Sequence, residues 1–128
     1  MLKQFNLKVM KYLFLLLLLC SFTYTTEPKH VGLNGVKVLS AKTQQILGKN
    51  VGYYLVIENG SKRMVDGVKW KAIFTDNFGE VKGEKEGKWQ SGNFVSPIKP
   101  SSKTEDLEST WISGATKVQI KITDVHFI

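Results

Sequence analysis

The sequence predicts an all-β protein, an antiparallel sandwich of two sheets with about seven strands. Short apolar–polar alternations recur at a spacing of roughly 8–12 residues, turn residues separate them, and no segment has the 3.6-residue period of a helix. The chain has 128 residues, 42% of them apolar, with 11 glycines, which is a globular composition. A small β-barrel is the alternative fold.

The N-terminal segment, residues 1–23, predicts export. It carries three lysines and no acid, and then an unbroken apolar run from Tyr12 to Cys20. A positive start followed by about 7–15 apolar residues is typical of a secretory signal peptide. The run is shorter than the roughly 20 apolar residues that a membrane-spanning helix needs. We therefore expect an extracytoplasmic protein, which is periplasmic, tethered to the membrane or secreted.

The end of the signal leaves two alternatives open. Cys20 follows five consecutive leucines, as in bacterial lipoprotein signals, where the cysteine becomes the lipidated first residue of the mature chain. The other interpretation is ordinary cleavage after small residues, with Ser21 and Thr23 or Thr23 and Thr25 at the selective positions. In both cases a single cysteine excludes an internal disulfide and a four-cysteine zinc site.

The predicted mature chain is mildly basic. The whole sequence has 18 Lys and Arg against 11 Asp and Glu, and the signal holds three of the lysines and none of the acids. The remaining 15 basic and 11 acidic residues leave a net charge of +4. Arg63 is the only arginine. We do not expect a nucleic-acid partner, because such partners are met by a dense basic surface rich in arginine.

The domain is predicted to cover residues 35–128, after a linker at 24–34. Its first strand begins at Val36 and extends to about Lys42, and its second covers 51–58. The second strand carries apolar residues on both faces, which is typical of a central strand. Those on one face are Tyr53, Leu55 and Ile57, and those on the other are Tyr54 and Val56.

A hairpin and the most regular strand are predicted next. Asn59-Gly60 readily adopts the positive φ angles of a two-residue turn, so we expect a tight hairpin between the second and third strands. Ser61 makes this tripeptide a formal glycosylation acceptor, but the hairpin accounts for it. The third strand, 65–76, alternates clearly, and its Trp70 and Phe74 are predicted to lie in the core.

The middle of the chain is predicted to contain a turn, an exposed edge and a short strand. The turn is Asp76–Gly79, and residues 80–88 alternate charges with glycines, as an exposed hairpin or a protected edge strand does. The acids of that segment lack the ligand spacing and the fixed glycine of a calcium loop. We expect a further strand at 89–95 and then a loop with two prolines at 97–103.

The last two strands are predicted at 104–111 and 117–127. In the final strand an inward-facing set alternates with polar residues, and this parity breaks before Val125 and Phe127. We therefore expect a β-bulge or bend near Asp124 that turns the tail. The inward-facing set is Val118, Ile120 and Ile122.

Several of these pieces together resemble a known group. They are the candidate lipid cysteine, a Val-rich strand ending in Glu58-Asn59-Gly60-Ser61, the run Phe74-Thr75-Asp76-Asn77-Phe78-Gly79, a proline-bearing loop and a terminal Val-x-Ile-x-Ile strand. Over residues 35–127 the chain resembles small bacterial immunoglobulin-like extracytoplasmic domains, such as the FxLYD-type lipoprotein group. The resemblance implies an immunoglobulin-like sandwich and supplies no catalytic residues.

Residues that could support catalysis or bind a metal are few. His30 and His126 are the only imidazoles, and they lie near opposite ends of the mature chain. Because the first and last strands of a sandwich can meet, the two histidines with Asp124 form an alternative hypothesis, a small metal-handling or enzymatic site. We expect instead no enzyme activity, no metal and no cofactor, with His30 in the linker and His126 on an exposed part of a strand.

Four lysines form a candidate binding face. Lys69 and Lys71 face outward on the third strand, and Lys117 and Lys121 face outward on the last. If these strands are neighbours in one sheet, the lysines form a basic stripe suited to an anionic glycan, a lipid headgroup or an acidic protein. An ordinary solvent-facing surface has the same pattern.

The tryptophans suggest a second surface. Trp89 and Trp111 lie in less regular segments, and whichever is exposed would mark a contact surface, because an indole in water favours a partner that covers it. The sequence therefore predicts an exported, non-enzymatic binding or accessory module of the cell envelope. Its partner would be an envelope protein or an anionic glycan, recognised by a sheet face or a strand edge.

Overall fold

The computed structural model of the chain describes residues 27–46 and 48–128. The predicted signal and Cys20 lie outside these residues. Six strands and no helix occur in the described part, which therefore holds no helix able to cross a membrane. The strands are β1 Val36–Gln45, β2 Asn50–Asn59, β3 Val65–Thr75, β4 Val81–Gln90, β5 Lys103–Ser113 and β6 Lys117–Phe127.

The strands form two antiparallel sheets packed face to face. One sheet has the order β1-β2-β5 and the other β4-β3-β6, so β2 and β3 are the central strands. This confirms the predicted sandwich and the central position of the second strand, and the alternative of a closed barrel is wrong. The number of strands is six in the described residues, rather than about seven.

The core lies between the two sheets and is built by alternation. Trp70 and Phe74 are buried as predicted, together with the inward-facing residues of β2 and β6. The Trp70 indole Nε1 donates a hydrogen bond of 2.8 Å to the Tyr53 hydroxyl in the opposite sheet. Tyr53 also packs edge-on against Phe74, with 5.5 Å between ring centroids. Burial raises the pKa of the Tyr53 phenol to about 12, so it stays protonated and joins the sheets.

The predicted hairpin at Asn59-Gly60 is wrong, because β2 and β3 lie in different sheets. Asn59 is fully buried at the end of β2, and its amide nitrogen donates to the carbonyl oxygens of Arg63 at 2.7 Å and Ile98 at 2.9 Å. Its Oδ1 accepts from the Ser61 backbone N–H at 3.0 Å. The side chain thus organises a crossing loop, and no glycan could be attached to it in the folded chain.

The predicted strand at 89–95 is also wrong. Trp89 belongs to β4, which continues to Gln90, and the residues that follow form a turn in which Gly92 and Val95 exchange two backbone hydrogen bonds. For residues 80–88 the edge-strand alternative is confirmed and the hairpin is wrong, because residues 81–88 continue into Trp89 and Gln90 as the edge strand β4. The predicted turn at Asp76–Gly79 is confirmed, with Gly79 at a φ of 79°.

The predicted bulge in the last strand is confirmed. Lys69 pairs with Asp124 but the next residue, Trp70, pairs with Ile122, so Thr123 is the extra residue in β6. The bulge resets the alternation, and Val125 returns to the core side, where it packs against the buried cluster.

Residues 27–34 lie against the sandwich, and we call them the N-terminal strap. The carboxylate of Glu27 accepts a 2.8 Å hydrogen bond from the backbone N–H of Ala41 in β1. Val31 pairs in parallel with β6, donating to the Ile120 carbonyl and accepting from the Ile122 N–H, both at 2.9 Å. The segment predicted to be a linker thus bridges the edge strands of both sheets.

Candidate functional site

The structure does not bring the two histidines together, although Asp124 and His126 line one pocket. The imidazole of His30 is 8% exposed in the strap, and its Nδ1 accepts a 3.0 Å hydrogen bond from the Ile120 N–H. His126 lies six residues beyond Ile120 on β6, which is about 20 Å at the rise of an extended strand. Its Nδ1 is hydrogen-bonded to Oδ1 of Asp66 at 2.5 Å. Within the described residues, no group of three or more His, Cys, Asp or Glu side chains could hold a metal ion.

The four lysines do share one face. β3 and β6 are neighbours in one sheet, and Lys71 lies directly opposite Lys121 in the register. Lys117 pairs with Thr75 at the other end of the same face. Like charges directly opposite each other on a sheet repel, so the central pair favours an anion placed above it.

Acidic residues interrupt this lysine face. Lys71 Nζ forms an ion pair of 2.8 Å with Glu84 of β4, and this carboxylate raises the pKa of the lysine through the hydrogen bond. Lys69 lies opposite Asp124. The face is therefore a mixed-charge surface with one pair of opposed lysines, rather than a continuous basic stripe.

The exposed tryptophan is Trp111. Trp89 is buried on β4, whereas Trp111 is 92% exposed on β5 and shares its face with Leu107, which is 63% exposed. Leu107 lies opposite Tyr54 of β2, so the three side chains lie on the outer face of sheet β1-β2-β5. We call them the aromatic face.

On β5 the large apolar side chains face solvent and acidic side chains face inward, the reverse of the pattern in the central strands. This reversal was not predicted from the sequence. The outward positions of β5 carry Leu107 and Trp111, while its inward positions include Asp106 and Glu108. Only Thr110 is fully inside, and Ile112 after it packs against the core. The sequence of β5 does alternate, but acids occupy the positions that face inward, where apolar residues are normally found. Only the register with β2 shows which side of this alternation faces the core.

The inward acids of β5 lie where the edges of β4 and β5 meet, which we call the open side. Lys85 of β4 reaches across, and its Nζ donates a 2.5 Å hydrogen bond to the Ser109 carbonyl. Burial, and then the neighbouring Asp106 carboxylate, raise the pKa of Glu108. In the described part of the chain, the buried Oδ2 of Asp106 has no hydrogen-bond partner.

Comparison with known proteins found no protein-family model, no curated protein and no solved structure that matches the chain. The resemblance of the sequence to small immunoglobulin-like extracytoplasmic domains therefore stays a prediction.

Proposed function

We propose that this chain is an exported, non-enzymatic binding or accessory module of the cell envelope, and that an envelope protein binds to its aromatic face. The observation that carries the proposal is Trp111, which is 92% exposed within β5 rather than at a loop tip, on the same side of the strand as Leu107. The register with β2 shifts at this point, but Ser109 and Ser113 on either side of Trp111 are paired with β2. The backbone that carries the indole is therefore anchored on both sides before a partner binds. Export is supported by the predicted signal at 1–23.

The chemistry of the aromatic face suits a protein partner. Tryptophan and tyrosine are enriched among the residues that dominate binding energy at interfaces, since they bury a large area with few rotatable bonds. Truncating such a residue typically costs about 2 kcal/mol, or about thirtyfold in affinity. Leu107 and Tyr54 extend the surface beside Trp111 along two paired strands.

The first experiment places a photo-crosslinking amino acid on the aromatic face in intact cells. Ser109 lies between Leu107 and Trp111 and faces solvent, so p-benzoylphenylalanine there should cross-link to a discrete envelope protein. The matched control carries the same label at Gln119, on the outer face of the other sheet. Labelling that is equal at both positions, or absent from both, would overturn the proposed function.

A variant pair tests the role of the indole itself. Trp111→Ser should reduce the cross-linked product at least tenfold, because the partner loses its main apolar contact. The control is Phe94→Ser, since Phe94 is 99% exposed but lies in a loop after β4. We expect Phe94→Ser to cross-link as the wild type does.

A second candidate function is binding of an anionic glycan, and the opposed pair of Lys71 and Lys121 favours it. An anion above this pair would relieve the like-charge repulsion. Replacing the four lysines of this face with glutamine should weaken retention on an anionic polysaccharide matrix more than the same charge loss elsewhere. The control exchanges four exposed lysines for glutamine at Lys37, Lys42, Lys99 and Lys103. Equal retention of the two variants would reject this candidate.

A further inference from the structure

We propose that the partner supplies an extended segment that adds as a strand to the free edge of β5, with basic side chains directed at Asp106 and Glu108. This inference rests on the proposed function and makes it specific. It names the edge that is used, the conformation of the bound segment and the charge of its inward-facing residues.

The first step is a comparison of the four sheet edges. The N-terminal strap covers β6 by the two backbone hydrogen bonds of Val31, and it bonds to β1 through Glu27. The edge strand β4 carries charges at alternate outward positions and one inward lysine, Lys85, all of which discourage pairing with another strand. β5 is an edge strand of 11 residues with exposed apolar side chains, and no described residue pairs with its outer edge.

The second step concerns the direction of the backbone groups of β5. The Ser109 carbonyl accepts from Lys85 of the other sheet, so it points away from the ladder with β2. In an antiparallel strand the N–H and C=O groups of alternate residues point to the same side. The register is continuous from Lys103 to Ser109, so Leu107 and Glu105 also direct their N–H and C=O groups to the free edge. These four groups can receive an added strand.

The third step concerns charge. Asp106 and Glu108 alternate with those residues and face the gap between the edges of the two sheets. Lys85 is the inward cation of β4 in this gap, and its hydrogen bond goes to a backbone carbonyl rather than to a carboxylate. Two acids thus face one cation, and the buried Oδ2 of Asp106 has no donor in the described chain. A lysine or arginine of an added strand would supply that donor.

The fourth step concerns the outer face. Residues of an added strand alternate between the two sides of the sheet, so those between the basic positions would lie beside Leu107. Leu107 is 63% exposed and packs next to Tyr54, which favours apolar residues there. The inferred ligand is therefore an extended protein segment that alternates basic and apolar residues.

The test uses a synthetic peptide that alternates lysine and valine, added to the purified chain. We expect amide hydrogen exchange to slow at Leu107 and Glu105 by at least tenfold, and the emission of Trp111 to change on the same titration. Two further peptides serve as controls. One has glutamate in place of lysine, and the other carries N-methyl groups on alternate residues, which removes backbone donors. Each should bind at least tenfold more weakly.

A variant pair assigns the charge effect. Asp106→Asn combined with Glu108→Gln should weaken binding of the lysine–valine peptide about tenfold, whereas Glu84→Gln combined with Glu86→Gln should not change it. The control pair lies on the outward side of β4 and removes the same charge. If the first pair fails to fold, the N-methylated peptide still tests the edge, because it leaves the protein unchanged.

The outcomes separate this inference from the proposed function. Protection of β4 or β6 amides, pairing of β5 with a second copy of the chain, equal binding of the N-methylated peptide, or no binding would each overturn the inference. If the label at Ser109 still cross-links to an envelope protein, the proposed function stands without it. If neither label cross-links, the proposed function itself fails.

Discussion

The two long sides of the sandwich, where edge strands of opposite sheets meet, are completed in different ways. At β1 and β6, the N-terminal strap adds backbone hydrogen bonds through Val31 and a carboxylate acceptor through Glu27. At β4 and β5, the long side chain of Lys85 connects the sheets. The first side has part of its edge backbone bonded by the strap, whereas no described residue pairs with the free edge of β5. At Glu105 and Leu107, the second side can accept another strand without displacing a described segment of the chain.

The difference shows that an edge can be protected by covering it or by its own side chains. β4 protects itself with charges, and residues 27–34 cover β6. β5 has inward acids and a register shift before Ser113, but no described segment covers its edge, and Leu107 and Trp111 are exposed on its outer face. An exposed apolar edge strand is an aggregation hazard, so its retention is better explained by use in binding than by stability.

The largest expected effect is on the free energy of unfolding, and it tests whether the core is closely packed beneath β4 at the open side. A Cβ at Gly87 of β4 would collide with the indole ring of Trp70, so Gly87→Ala should lower the free energy of unfolding by about 2 kcal/mol. Gly92→Ala is the control, because no atom lies near its Cβ position. Urea denaturation measures both. Equal stability of the two variants would mean that the core does not extend beneath β4.

The next effect tests how the strap closes the other side. His30→Ala removes the acceptor of the Ile120 N–H and should cost about 1 kcal/mol of stability. The amides of Ile120 and Ile122 should then exchange faster with solvent. Lys29→Ala is the control, since Lys29 is exposed and only its backbone carbonyl is used, by Gln119. Unchanged exchange at Ile120 would show that the strap does not depend on the imidazole.

A smaller effect concerns the pH dependence of the open side. Because the pKa of Glu108 is raised, the folded chain holds this proton more tightly than the unfolded chain does. The linked stabilisation is complete below the unfolded pKa, near 4.5, and is lost as pH rises through the raised folded value. Glu108→Gln should therefore flatten the fall in unfolding free energy over this interval. Two parallel pH profiles from chemical denaturation would contradict the expectation.

The smallest effect is on the aromatic face. Trp111→Ser should change the free energy of unfolding by less than about 0.5 kcal/mol, because the indole is almost fully exposed and leaves no cavity. The same variant is expected to lose partner binding, so the two measurements together separate binding from stability. A large loss of stability in urea denaturation would mean that Trp111 is a structural residue.

Much of the core could be predicted because alternation is a local property. The inward positions of Trp70 and Phe74, and the bulge before Val125, followed from neighbouring residues alone. Alternation also predicts that the four lysines face outward, but only the pairing of β3 with β6 places them on one face, which Glu84 and Asp124 interrupt. The interruption arises from strands that are distant in sequence, and their register was not predictable.

The errors occurred where one local signal has two structural uses. Asn59-Gly60 is a strong hairpin signal, yet here the buried Asn59 side chain bonds to a crossing loop and to Ile98. The alternation of charges and glycines at 80–88 predicts an element separate from a strand at 89–95, whereas β4 runs through both as far as Gln90, and its Gly87 makes room for Trp70. The role of His30 in the strap required a contact with Ile120, which lies 90 residues further along the chain.

The sequence by itself determined the fold class, the inward-facing residues of the central strands and the prediction of export, because each depends on the order of neighbouring side chains. Only the tertiary structure decided which strands pair, which edge the strap covers and which edge stays free. The reason is physical. Backbone hydrogen-bonding groups are the same in every residue, so their partners are chosen by the packing of the whole chain and leave no local signal in the sequence.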